Sequence, residues 1–180
     1  MVLVDKRDHE LGTAEKIAAH REGRLHRAVS AFVLDDRGDM LVQRRAMTKY
    51  HSRGLWSNAC CTHPRPGEPP QAAAHRRLVE EMGIDCPLSA AGKFIYRAEL
   101  ENGLVEYELD HLFVGRFDGS PAPNSKEVAD WRWFPFDQLA ADLSREPRQF
   151  TAWFGPAIHE LIRTGHLPTP RPPLQDDSYC

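Results

Sequence analysis

Two short spacings carry much of the chemistry in this chain. Glu106 and Glu108 stand two apart in LVEYELDHLFVGRF, a run that reads as a strand, so both carboxylates fall on one face. Like charges at such close positions repel, and a cation between them removes that cost. Cys61 and His63, in NACCTHP, share a face by the same alternation, while Cys60 points the other way and reads as a small buried hydrophobe. With His20 and His26 added, three imidazoles and two carboxylates make a donor set that suits six-coordinate Mn²⁺, Mg²⁺ or Zn²⁺ better than closed tetrahedral zinc. Any one of the 9 histidines taken alone reads as a surface or core-edge residue, so the metal reading rests on the grouping. A cation beside His63 would also tune the acidity of the Cys61 thiol.

A second group is acidic and basic at once. Residues 70–82 predict a helix, with Pro69 and Pro70 at its start and Gly83 as its stop. It carries Arg76, Arg77, Glu80 and Glu81, and Glu68 precedes it. Carboxylates on one helix face can hold a hard cation such as Mg²⁺ against a diphosphate, whereas an isolated Glu-Glu pair would be ordinary surface decoration. Arg44, Arg45, Lys49 and Arg53 form a basic run in an otherwise acidic chain. Arginine grips phosphate oxygens in pairs, and lysine acts as a point charge.

The elements that must position these groups follow from the remaining pattern. Residues 12–20 predict a short helix with Thr13 as its N-cap and Lys16 in its body. Residues 28–44 read as a hairpin around the polar turn Asp35 to Gly38, followed by a basic loop from Ala46 to Leu55. Residues 58–64 are expected to be extended, because a proline follows His63. Strands at 93–100 and 104–117 are joined by Glu101-Asn102-Gly103, a strong hairpin signal. A short strand at 131–134 and helices at 136–143 and about 150–163 complete the chain. Hairpins interspersed with helices predict an α+β or mixed α/β layer fold, a single domain over residues 1–165. Residues 166–180, with four prolines, read as a loose tail.

The bulk properties bound the function classes. A length of 180 residues suits one domain, and 41% hydrophobic with 27% charged residues is ordinary for a globular protein. A net charge of −3 gives no support to a nucleic-acid or anionic-membrane partner, so any polyanion site must be local. No signal peptide or membrane-spanning run is evident, and the 4 cysteines lack repeated Cys-x-x-Cys spacing. A cytoplasmic protein with reduced thiols is expected, most simply a monomer.

Glu68, Arg76, Leu78, Glu80, Glu81, Gly83 and Ile84 fall in register with the Nudix box, G-x5-E-x7-R-E-U-x-E-E-x-G-U, with U apolar. Two positions depart from it: Thr62 stands for the first glycine and Arg77 for the glutamate after the arginine. Replacing an acidic metal ligand by a cation argues against hydrolysis and for anion binding. Over residues 10–160 the chain resembles type 1 isopentenyl-diphosphate isomerases, through Lys16 with His20, Arg24-Leu25-His26, Arg44-Arg45 with Lys49, Gly54-Leu55-Trp56, Cys61-Thr62-His63-Pro64, Glu106-Tyr107-Glu108 and Trp153.

That resemblance implies a Nudix-type mixed sheet packed between helices. It implies an isomerase that interconverts isopentenyl and dimethylallyl diphosphate through a tertiary carbocation, supplying isoprenoid biosynthesis. Cys61 and Glu108 take the places of the catalytic acid and base. His20, His26, His63, Glu106 and Glu108 take those of the metal ligands, with Glu81 on a second, diphosphate-bridging Mg²⁺. Lys16, Arg45, Lys49, Arg77, Tyr96 and Trp153 take those of the substrate contacts.

Overall fold

The computed structural model describes residues 1–170. Among the described residues, nine strands form one mixed sheet, flanked by helices on both faces. β1 (Val2–Val4) and β2 (Glu10–Thr13) make an N-terminal hairpin, and α1 (Lys16–Glu22) follows. β3 (His26–Leu34) is the central strand. β4 (Met40–Arg45), β5 (Trp56–Ser57) and β6 (Cys60–Thr62) lead to α2 (Pro70–Met82). β7 (Leu88–Glu99) and β8 (Val105–Arg116) form a long hairpin, and β9 (Val128–Phe134), α3 (Phe136–Arg145) and α4 (Phe154–Arg163) close the fold.

Alternation along β3 explains the two layers. Val29, Ala31 and Val33 pack against Ala73, Ala74, Leu78 and Met82 of α2. Phe32 and Leu34 point the other way, into a cluster with Leu139, Phe154, Ile158 and Leu161 of α3 and α4. A period of two in the strand therefore separates two hydrophobic cores.

The expected mixed layer fold is borne out, with local corrections. Residues 28–44 do not form an extended hairpin: β3 meets β4 only at Leu34 and Met40. The edges of β3 are taken instead by β8, in parallel over His26 to Leu34, and by β6, antiparallel. β4 turns away to pair with β9. Gly12 and Thr13 lie in β2, so the first helix is capped by Glu15, whose carboxylate accepts from the Ala18 backbone N–H at 2.9 Å. Lys16 is its first residue. The last helix starts at Phe154, because Phe150 bridges to Trp56 and Thr151 donates to the Trp56 carbonyl. Within the expected tail, Leu167 is buried against the α4 core; residues 171–180 lie outside the described residues.

The helix at 70–82 has its predicted bounds and stop. Gly83 takes φ 65°, and a Cβ there would stand 2.7 Å from the Ala122 carbonyl oxygen. Gly83→Ala therefore combines left-handed strain with a backbone clash. It should cost about 1–3 kcal/mol. Thermal unfolding checks this, with a lowered midpoint expected.

Candidate active site and metal centre

Strand pairing assembles the site from distant stretches of sequence. Glu108 on β8 pairs with His26 on β3 and with Tyr96 on β7, which places three functional side chains in one row across three strands. Two residues along, Glu106 faces the same way and pairs with Ala98. Cys61 pairs with Ser30 on the other edge of β3, with Cys60 turned into the α2 core. One turn apart on α1, Lys16 and His20 present a cation and an imidazole to the same region. Cys61, His63, Tyr96, Glu106, Glu108, Trp153, Lys16, Arg45, Lys49 and Arg77 all line one cavity of about 270 Å³.

His20, His26, His63 and Glu108 bring one donor atom each within 4.8 Å of one another. His26 Nε2 lies 3.2 Å and His63 Nε2 2.9 Å from Glu108 Oε1. Two ligands at right angles about 2.1 Å from one ion stand about 3.0 Å apart, so these separations are those of neighbouring ligands in an octahedral shell. Two backbone carbonyls orient the rings: His20 Nδ1 donates to Lys16 O at 2.8 Å and His26 Nδ1 to Arg24 O at 2.7 Å. That tautomer leaves each Nε2 as a lone pair aimed into the site, as metal-bound histidines are commonly held. His20 Nε2 is buried without a hydrogen-bond partner, and a His26 lone pair facing a carboxylate oxygen is repulsive unless a cation lies between. The donor set therefore fits a divalent metal ion.

Glu106, expected in the same shell, groups differently. Its carboxylate clusters with His20 and His51, with His51 Nε2 at 3.6 Å from Glu106 Oε1. Sequence reasoning passes over His51 because it sits in a basic loop among polar residues. Its ring is buried, and burial first, then the Arg45 charge, push it down to about 3. Burial and then the Glu108 charge push Glu106 well above the usual carboxylate range. For Glu108 burial acts in the same direction, but a positive charge lying between it and His26 and His63, a shared proton or an ion in that proton's place, outweighs burial and holds it low. The two carboxylates are thus driven apart, one toward the acid and one toward the anion.

The Tyr96 hydroxyl lies 2.6 Å from Glu108 Oε2 and 3.2 Å from Glu106 Oε2. Its one proton goes to the nearer, ionised Glu108, and burial followed by the two glutamates keeps it a phenol. Burial, and then Asp110, raise the Cys61 thiol well above its ordinary range, so its resting form carries the proton. Cys61 Sγ lies 3.1 Å from Asn58 Oδ1 and 3.2 Å from Ser30 Oγ. Trp153, also buried, donates from Nε1 to the same Asn58 oxygen at 3.1 Å, and Arg45 stands 5.4 Å from its ring centre. It is both a core residue at the start of α4 and a wall of the cavity.

At the cationic end, Arg45 is held by the Ser52 and His51 carbonyls at 3.1 and 3.2 Å, and Lys16 lies over the Tyr50 ring at 4.6 Å. Burial first, then Lys49 and further cations, depress the Lys16 ammonium. A cluster of this kind gains by taking an anion. Arg77 donates to Glu81 at 2.6 Å and to Glu127 at 2.8 Å, and Lys49 bonds Glu127. Glu81 is buried and is also held by Gln43 Nε2 at 2.7 Å. Glu127 is invisible to sequence reasoning, since one glutamate in a loop before a strand has no signal of its own. Glu80 lies outside this group, paired with Arg76 and Arg77 on the helix surface at 3.3 and 3.2 Å.

Comparison with known proteins places this arrangement. The NUDIX domain family model matches residues 24–154, so the fold and the altered carboxylate helix define a Nudix-domain protein. Solved structures agree on the fold: one from Deinococcus radiodurans aligns with a TM-score of 0.67 at 20% identity over 81% of this chain and 88% of that one. The MutT protein of Methanosarcina mazei aligns with a TM-score of 0.65 at 18% identity over 78% of this chain and 95% of that one. Among curated relatives, isopentenyl-diphosphate Delta-isomerase 2 of Photorhabdus laumondii is 53% identical over 89% of this chain and 91% of its own length. The isomerase of Burkholderia multivorans is 50% identical over 93% of both chains. The chain belongs to the isopentenyl-diphosphate Delta-isomerase family of Nudix proteins.

Proposed function

We propose that this chain interconverts isopentenyl diphosphate and dimethylallyl diphosphate, a step of isoprenoid metabolism, with Cys61 and Glu108 as its proton-transfer pair. The observation that carries this reading is the Cys61 thiol and the Glu108 carboxylate lining one cavity, with a cationic end of Lys16, Arg45, Lys49 and Arg77 for the diphosphate. Lys16, Arg45, Lys49 and Arg77 bind the diphosphate. Glu81, beside Arg77 and Lys49, would hold a Mg²⁺ that helps neutralise the diphosphate. His20, His26, His63 and Glu108, with Glu106 beside them, would hold a second divalent ion: Mn²⁺, Mg²⁺ or Zn²⁺. When bound, that ion supplies the positive charge that keeps Glu108 ionised and fixed.

The terminal alkene carbon takes a proton, positive charge develops at the tertiary carbon, and a proton leaves the neighbouring methylene. Cys61 holds its proton in the resting site and serves as the acid; Glu108 accepts the proton from the methylene, and the roles exchange in the reverse direction. One positioned acid or base supplies about 10²–10⁴ in rate, so the cavity must also stabilise the cation and exclude water. An aromatic face over a desolvated cation contributes about 2 kcal/mol, a role that falls to Trp153 and Tyr96, which both line the cavity. Tyr96 also fixes the Glu108 carboxylate, and Tyr96→Phe removes one hydrogen bond to a charged group. It should lower kcat about tenfold or more, with KM little changed, in steady-state kinetics.

Hydrolysis of the diphosphate is the other reading of a Nudix fold. It is disfavoured because Arg77 occupies a position where a hydrolase carries a glutamate, and here it binds Glu81 itself. Incubation of the purified protein with isopentenyl diphosphate and Mg²⁺ plus Mn²⁺, followed by proton and phosphorus NMR, decides between them. Dimethylallyl diphosphate is expected; released phosphate with no alkene rearrangement would overturn the proposal.

A further inference from the structure

Asn58 sits between β5 and β6, fully buried, with every polar atom of its side chain engaged. Nδ2 donates to the Ala31 carbonyl at 3.0 Å and to the Cys60 carbonyl at 2.8 Å. Those two bonds use both amide protons and define which end of the amide is oxygen. That oxygen faces three donors: Ser57 Oγ at 3.0 Å, Trp153 Nε1 at 3.1 Å and Cys61 Sγ at 3.1 Å.

An amide oxygen has two lone pairs, so three donors overdraw it, and the thiol is the weakest of the three. Cys61 has one other polar neighbour close by, Ser30 Oγ at 3.2 Å. Ser30 also bonds Asp110 Oδ2 at 2.7 Å, and its hydroxyl stands slightly farther from the thiol than the amide oxygen does. The indole N–H has no such alternative among the described residues, whereas Ser57 has Thr151 Oγ1 at 3.0 Å.

We infer that Asn58 is a positioning residue whose single carbonyl oxygen orients the Cys61 thiol and the Trp153 indole together and, being overdrawn, leaves the thiol proton loosely held. The consequence is a thiol aimed by its surroundings yet free to turn its proton toward the cavity. An acid parked on a strong, undivided acceptor would have to break a full hydrogen bond before each transfer. The inference rests on the reading of Cys61 as the proton donor, but its spectroscopic test does not.

The test is the S–H stretching band of Cys61 in the infrared, assigned by difference against Cys61→Ala, together with steady-state kinetics. Asn58→Ala removes the shared acceptor and leaves the thiol only the longer contact to Ser30, so the band should move to higher wavenumber. In that variant kcat should fall about tenfold to hundredfold, with KM within about twofold. Ser57→Ala removes a competitor for the same oxygen, so the thiol bond should tighten and the band move to lower wavenumber, with kcat down about threefold. A residue with only a structural role would not shift the band in opposite directions in the two variants. Shifts of the same sign, or no shift in either, would overturn the inference. If Asn58→Ala fails to fold, Ser57→Ala decides alone: a lower wavenumber supports the inference and an unmoved band overturns it. Full turnover in Cys61→Ala would instead refute the role of Cys61, while the band shifts would still decide whether Asn58 orients the thiol.

Discussion

Cys61→Ala should lose turnover by about 10⁴-fold while still binding inorganic pyrophosphate with wild-type affinity. The two outcomes separate because the thiol and the cations proposed to bind the diphosphate occupy different parts of the cavity. Cys61 is held by Asn58 and Ser30, whereas Lys49 and Arg77 are tied to Glu81 and Glu127. Removing a small side chain on β6 leaves the second set untouched. Cys61→Ser keeps a proton donor at the same place, and a hydroxyl is a much weaker acid than a thiol, so it should recover only a small part of the rate. Steady-state kinetics and calorimetric titration with pyrophosphate measure both quantities. Loss of pyrophosphate binding in Cys61→Ala would mean that Cys61 supports the anion site.

Glu108→Gln should be equally damaging but should fail differently. Glu108 Oε1 faces both His26 and His63, and Oε2 accepts from Tyr96. The amide removes the proposed base and one proposed anionic ligand in a single change. Turnover should fall by about 10⁴ or more, and divalent-ion affinity by about 10- to 100-fold. The pair of variants is therefore diagnostic: Cys61→Ala keeps its ion, and Glu108→Gln does not. Metal analysis after dialysis against a limiting chelator reads this directly. Equal ion content in wild type and Glu108→Gln would remove Glu108 from the ligand set.

Much of this is legible in the sequence because strands and helices impose short periods. The two-residue spacing of Glu106 and Glu108 and the separation of Cys61 from Cys60 require only alternation. Helix 70–82 is set by Pro70 and Gly83, and its outcome is the predicted one. What sequence does not supply is strand order. That His26 stands opposite Glu108 depends on β3 and β8 running in parallel, a long-range pairing that leaves no local signal. The same limit hides Asn58, which is ordinary in sequence and central only once Trp153 and Cys61 converge on it. His51 and Glu127 escape notice because loop residues carry no periodicity. Thr13 reads wrongly as a helix cap because a Thr followed by a helical run has the same local chemistry as a strand end, and pairing of β2 with β1 decides the matter.

The proposed reaction moves protons across one cavity and leaves the diphosphate intact. The most direct measurement is the reaction of isopentenyl diphosphate in D₂O with saturating divalent metal, followed by NMR of the product. Deuterium is expected in a methyl group of dimethylallyl diphosphate, with no such exchange in Cys61→Ala. Product formed by the wild type without deuterium would contradict it, as would equal deuterium incorporation by the variant.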